Sequence, residues 1–210
     1  MNGILCSADL MESISPGEGD IRSCLKIIRE NAGFVEDMAD YVEIAVKTRY
    51  GEITPRFCEF DLNVLLYEIS EAIDKRNESS GGKTVKWEFS ENCRRGPLYI
   101  KTDIDCLRKV LMILVDMVFR YSTEGVVKIG CDRGSSGLST YIKWPDANDI
   151  YELNGRPGMS AKELMSKKNL MSGRARLEMI VCCRLLNLTG GSFSILRHRD
   201  GESMYKILFR

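Results

Sequence analysis

The sequence predicts an α+β chain. A helical hairpin suited to a bundle occupies residues 1–55, and an α/β sandwich with three helices on one face of a mixed sheet occupies residues 56–210. Three observations predict this. Apolar residues recur in alternating steps of four and three between Ile21 and Val46. Short alternating strands appear only after Asp61. From there the order helix, two strands repeats three times to the C-terminus.

Residues 1–13 form a short apolar-patterned first arm. After the turn "SPGEG", Asp20 is a natural N-cap for the second arm. Its seam is Ile21, Leu25, Ile28, Ala32, Val35, Ala39, Val42 and Val46, a heptad stripe suited to a partner helix. Asp61 can cap the next helix, whose apolar face is Leu62, Leu65, Leu66, Ile69 and Ile73. Val85, Trp87 and Phe89 alternate with polar residues, which predicts a half-buried strand, and "PLYIKT" predicts a second. Residues 103–122 form a helix with the apolar middle "VLMILVDMVF". Strands follow at "GVVKIGC" and "LSTYIKW", then an irregular stretch from Pro145 to about Met159 and a short helix at "SAKELMSKK". The last helix covers "GRARLEMIVCCRLLNL" and ends at Gly190-Gly191. "SFSILRH" and "SMYKILF" form a hairpin joined by "RDG".

The 30 basic and 30 acidic side chains cancel, so no basic field steers the chain toward nucleic acid or an anionic membrane. No run of 18 apolar residues is present, and the first residues lack the pattern of a signal peptide, which together predict a cytoplasmic protein. None of the eight cysteines stands in a C-x-x-C pair, and the lone histidine, His198, has no cysteine at ligand spacing. Reduced, mostly buried thiols and no metal site follow.

The order of these pieces resembles the histidine kinases of two-component signalling over essentially the whole chain. "MNGILCSADLM" looks like the end of the family's phosphoacceptor segment, and "LKIIRENAGFVEDMADYVEIAVKTRYGEITPRFCEFDL" like the second bundle helix and its linker. "DIDCLRKVLMILVDMVFRYSTEGVVKIG" looks like the asparagine box. "IKWPDANDI" falls where the first glycine box belongs, and "GRARLEMIVCCRLLNLTGG" where the second does. The resemblance implies a dimerising bundle and an ATP-binding sandwich of the gyrase, Hsp90 and MutL type.

The departures from that pattern concern the chemistry. The phosphoacceptor histidine would stand just upstream of Met1, and His198 near a C-terminal strand does not replace it. The asparagines of the family are Ile113 and Met117 here, and a thioether is a poor magnesium ligand. Asp116 is adjacent but points about 100° away on a helix. Arg120 and Tyr121 match the family's basic–aromatic pair, with packing and helix-end electrostatics as the plain alternative. The first glycine box reads Pro145, Ala147 and Asp149, with Asp146 one step from the adenine-binding aspartate. The second reads Arg174, Arg176 and Glu178 in place of three glycines, where backbone amides would otherwise approach phosphates.

Losing charge-assisted hydrogen bonds costs about 1.5–3 kcal/mol each. Loss of metal ligand, adenine aspartate and phosphate turn together sums to about 5 kcal/mol, enough to take a micromolar site to the millimolar range. The expectation is a non-catalytic, histidine-kinase-like regulator without ATP or magnesium. Its partners would be a second copy or a related kinase, and a response-regulator receiver or phosphotransfer protein. Two other readings stay open. One is a divergent ATP- and magnesium-dependent kinase fragment. The other is a magnesium-independent anion or nucleotide sensor using Arg174 and Arg176 at a helix N-terminus.

Overall fold

The computed structural model describes residues 18–79, 86–90, 93, 96–121, 125–134, 137–145, 158–160, 173–197 and 202–209. The chain divides into two compact units between Val46 and Lys47. The expected first arm, the helix at "SAKELMSKK" and His198 lie outside the described residues.

Helix α1 spans Glu18–Arg49, so it begins before Asp20 rather than after it. Its buried positions are Cys24, Tyr41 and Ala45. The heptad stripe lies beside this face and is open. Ile21, Leu25, Val35, Val42 and Val46 are 38–50 % exposed, Ala32 and Ala39 are exposed, and Ile28 is half-buried.

The second unit is built from β1 (Cys58–Asp61), α2 (Leu62–Ser79), β2 (Lys86–Phe89), β3 (Tyr99–Thr102), α3 (Ile104–Tyr121), β4 (Val126–Gly134) and β5 (Gly137–Pro145). It continues with β6 (Gly158–Ser160), α4 (Gly173–Leu188), β7 (Ser192–Arg197) and β8 (Glu202–Leu208). The main sheet has the order β2-β4-β5-β8-β7-β6. Only the β2–β4 pair is parallel. This is the expected mixed sheet with three helices, within an α+β chain.

Two details correct the sequence reading. "PLYIKT" does not join the main sheet: β3 pairs antiparallel with β1, a strand that sequence reasoning had absorbed into the approach to α2. The stretch expected to be irregular ends in β6, a three-residue edge strand paired with β7. A strand this short carries no alternation to detect.

Alternation decides which face of the sheet is covered. Val127, Ile129 and Cys131 of β4, Ile142 and Trp144 of β5, Phe193 and Ile195 of β7, and Tyr205 and Ile207 of β8 are all buried. The Trp144 and Tyr205 rings stack at 4.4 Å between centroids. Above them α2 contributes the expected face of Leu62, Leu65, Leu66, Ile69 and Ile73. Helix α3 is buried on more than one side, by Leu107, Val110, Leu111, Leu114, Val115 and Val118, because α2 and α4 both pack against it.

Aspartates start two of these helices. Asp61 Oδ1 accepts from the backbone N–H groups of Asn63 (3.0 Å) and Leu98 (2.9 Å). Asp103 Oδ1 accepts from Cys106 N–H (2.8 Å), while Oδ2 accepts from Arg56 N–H (2.6 Å). Each carboxylate satisfies a helix-start donor and ties in a residue from elsewhere in the chain.

Candidate functional site

Two of the segments that resemble a nucleotide box meet where the C-terminal half of α3 faces the start of α4. Ile113 and Met117 of α3 are fully buried. They are core side chains, with no heteroatom able to offer a hard ligand to a cation. Asp116 is half-buried and stands one helical turn before Arg120. Tyr121 is the last residue of α3, and its side chain lies outside the described residues.

Glu178 is the centre of the arrangement. Its side chain is 1 % exposed, although it belongs to the first two turns of a helix whose sequence is otherwise rich in basic residues there. Arg120 Nη2 donates to both carboxylate oxygens, at 2.7 Å to Oε1 and 2.6 Å to Oε2. Arg174 Nε, one turn earlier on α4, donates to Oε1 at 3.0 Å. The two arginine side chains are 26 % and 27 % exposed. A buried carboxylate thus accepts from two guanidiniums, of which that of Arg120 has its Nε and Nη1 buried as well. A buried charge requires such partners, because leaving it unpaired costs several kcal/mol.

Arg174 and Glu178 stand four residues apart, so their pairing was readable in the sequence. The Arg120 contact, across 58 residues, was not. Arg120 also stands in the last turn of α3, where packing and helix-end electrostatics were the plain alternative. Arg176 is half-buried on the same first turn of α4. Pro145 ends β5 beside Gly125, where a Cβ would fall 2.4 Å from the proline Cγ. Asp146, Ala147 and Asp149 lie outside the described residues.

These side chains do not fit a magnesium–triphosphate group. A thioether and a branched alkane occupy the α3 positions that would offer oxygen or amide ligands. A carboxylate occupies the α4 position where the backbone would approach phosphate, and it already takes the hydrogen bonds of Arg120 and Arg174. Among the described residues no group of three His, Cys, Asp or Glu side chains could hold a metal ion, and no helix is long and apolar enough to cross a membrane.

A concavity lies beside α2. It is a cavity of about 410 Å³ lined by Asn63, Val64, Tyr67, Phe89 and Cys93. Sequence reasoning had no signal for it, since its lining comes from three separate segments.

No model of a protein family matches the chain, and no curated protein matches it. Solved structures do. The histidine kinase AdeS of Acinetobacter baumannii superposes with a TM-score of 0.63 at 16 % identity, over 97 % of this chain and 91 % of that one. Full-length ShkA in complex with AMPPNP gives 0.66 at 16 % identity, over 98 % of this chain and 42 % of ShkA. The cytoplasmic segment of the histidine kinase QseC gives 0.56 at 13 % identity, over 83 % of this chain and 93 % of that one. At these identities the likeness is one of architecture, and the chain has a histidine-kinase-like fold.

Proposed function

We propose that this chain is a non-catalytic, histidine-kinase-like signalling regulator that works by protein–protein interaction and does not use ATP. The observation that carries this reading is the buried Glu178 carboxylate held by Arg120 and Arg174. It puts negative charge, already satisfied, where a phosphate group would need free donors. The open apolar stripe of α1 supports the second half of the proposal. Exposed side chains at heptad spacing suit a second copy of the chain or the bundle helix of a related kinase. A receiver or phosphotransfer protein is the further partner class, and the cytoplasm the compartment in which such partners would meet it.

Calorimetric titration with ATP, with and without magnesium, tests the reading. No binding in the micromolar range is expected in either arm. The 210-residue chain should also stay unlabelled after incubation with radiolabelled ATP, because autophosphorylation needs a positioned nucleophile. A low-micromolar, magnesium-dependent isotherm or acid-labile label on the chain overturns the proposal. A magnesium-independent isotherm would instead favour an anion sensor.

A further inference from the structure

We propose that the open edge of β2 is a self-association surface, on which the β2 strand of a second copy of this chain pairs antiparallel about a two-fold axis at Trp87. This surface is distinct from the α1 stripe and independent of nucleotide binding.

Strand β2 is the outermost strand of the main sheet, with β4 on one side only. Backbone groups along a strand point alternately to its two sides. Ser90 N–H donates to Ile129 O of β4 at 2.8 Å. By that alternation Glu88 and Lys86 also turn their N–H and C=O groups toward β4, in a parallel register that sets Lys86 opposite Val126 and Glu88 opposite Lys128. The N–H and C=O groups of Trp87 and Phe89 therefore point outward. Among the described residues no hydrogen bond reaches them. Donors and acceptors in a row at strand spacing are a template for a further strand.

The side chains select the occupant. Lys86 and Glu88 are exposed on one face of the strand, and Trp87 and Phe89 are half-buried on the other. The Trp87 and Phe89 rings lie 5.8 Å apart, and Trp87 Nε1 donates to Asp74 Oδ1 of α2 at 2.9 Å, which fixes these two faces. Among the described residues neither Lys86 nor Glu88 makes an ion pair. A strand antiparallel to β2 should thus carry an acidic residue opposite Lys86, an apolar residue opposite Trp87 and a basic residue opposite Glu88. Read in its own direction, that strand is basic, apolar, acidic, and Lys86-Trp87-Glu88 is itself such a sequence. With the axis at Trp87, Lys86 lies opposite the partner's Glu88, and Glu88 opposite the partner's Lys86. Trp87 exchanges both N–H···O=C bonds with the partner's Trp87.

Other registers set like charges together. An antiparallel pairing centred on Glu88 places it opposite the partner's Glu88. A parallel in-register pairing, the kind that propagates in fibrils, places lysine beside lysine and glutamate beside glutamate. The two charges therefore favour a closed two-fold pair over open stacking. Lys128 neighbours Glu88 in the single chain and in the pair alike, so it does not discriminate between registers. The four residues of β2 span about 13 Å, which makes the contact smaller than a stable interface. The association is weak, and the dilution of size exclusion dissolves it.

The test uses the full chain carrying Val35→Glu, so that the α1 stripe does not contribute. Samples at about 1 mM and about 0.05 mM are compared. Sedimentation equilibrium should show monomer at the lower concentration and partial dimer at the higher. Amide exchange followed by NMR should slow at Trp87 by about twofold or more at the higher concentration, and stay unchanged at Glu88, whose N–H already faces β4. Lys86→Glu sets like charges opposite each other twice and should weaken the association roughly tenfold. Adding Glu88→Lys to that chain should restore it to within about twofold. The proposal is overturned if Trp87 exchange does not depend on concentration, if Lys86→Glu leaves the association unchanged, or if the double variant fails to restore it. Should a variant fail to fold, Trp87 exchange in the wild type alone decides.

Discussion

Replacing Arg120 by methionine keeps the length of the side chain and removes the guanidinium. Of the three hydrogen bonds that the Glu178 carboxylate accepts from Arg120 and Arg174, two are lost, and the carboxylate is 1 % exposed. Charge-assisted bonds contribute about 1.5–3 kcal/mol each, and stripping one partner from a buried pair costs roughly 3–5 kcal/mol. Arg120 is a quarter exposed, and water can re-enter at its place, so about 3 kcal/mol is the reasonable figure. For a domain of this size that is a fall in Tm of roughly 6–12 °C. Both tryptophans, Trp87 and Trp144, belong to the sandwich, so their fluorescence during urea unfolding reads this unit alone. Arg174→Met should cost about half as much, since one bond is lost. The double variant Arg120→Met with Glu178→Leu should recover most of the loss, because an apolar replacement of a buried ion pair is close to neutral. If Arg120→Met costs under about 1 kcal/mol, the carboxylate is not held as described, and the case against a phosphate at this position loses its basis.

Three further outcomes are expected. Val35→Glu puts a charge in the middle of the open α1 stripe, so the wild type should run as a dimer and the variant as a monomer in light scattering after size exclusion, with tryptophan fluorescence unchanged. A monomeric wild type at high micromolar concentration refutes self-pairing through this stripe. Burial tends to raise the Asp103 carboxyl, but hydrogen bonds from the backbone N–H groups of Cys106 and Arg56 outweigh it and hold the group below its usual value. A depressed carboxylate stabilises above its unfolded pKa of about 3.9 and loses that contribution as pH falls through the folded value. Asp103→Ala should therefore cost about 1–2 kcal/mol at pH 7 and clearly less near pH 3, and an equal cost at both pH values refutes the assignment. Gly130→Ala would place a Cβ 2.4 Å from the Tyr141 ring and 2.7 Å from Ser90 Cβ, costing roughly 1–3 kcal/mol in urea unfolding, and a cost near zero refutes the close packing.

Much of the fold was readable because periodicity is a local property. The face of α2 from Leu62 to Ile73 and the alternation of β4, β5, β7 and β8 follow from which residues are apolar, and the burial pattern agrees with both. The pairing of β3 with β1 was not readable, since four residues of "YIKT" look the same in either sheet. The heptad of α1 identified an apolar stripe but could not say which side of the helix faces its own unit. That side carries Cys24, Tyr41 and Ala45. At the candidate site the residue types were visible and the partnership was not. Glu178 read as a repulsive charge in a phosphate turn, and only the folded chain brings Arg120 to it.

The cluster at Glu178 also bears on how easily this chain could change. Restoring a glycine at position 178 would leave the Arg120 and Arg174 guanidiniums facing each other across a vacated buried space. Removing either arginine first would take hydrogen bonds from a buried carboxylate. Loss of Arg120 first therefore passes through a chain weakened by about 3 kcal/mol, and loss of Arg174 first by about half that, against the 5–15 kcal/mol that keeps an ordinary domain folded. The three residues are mutually dependent, and a change to a glycine-rich turn requires simultaneous change or prior stabilisation elsewhere. Even that change would leave Ile113 and Met117 in the core. An attempt to engineer nucleotide binding into this scaffold should begin from a stabilised background and rebuild α3 and α4 together.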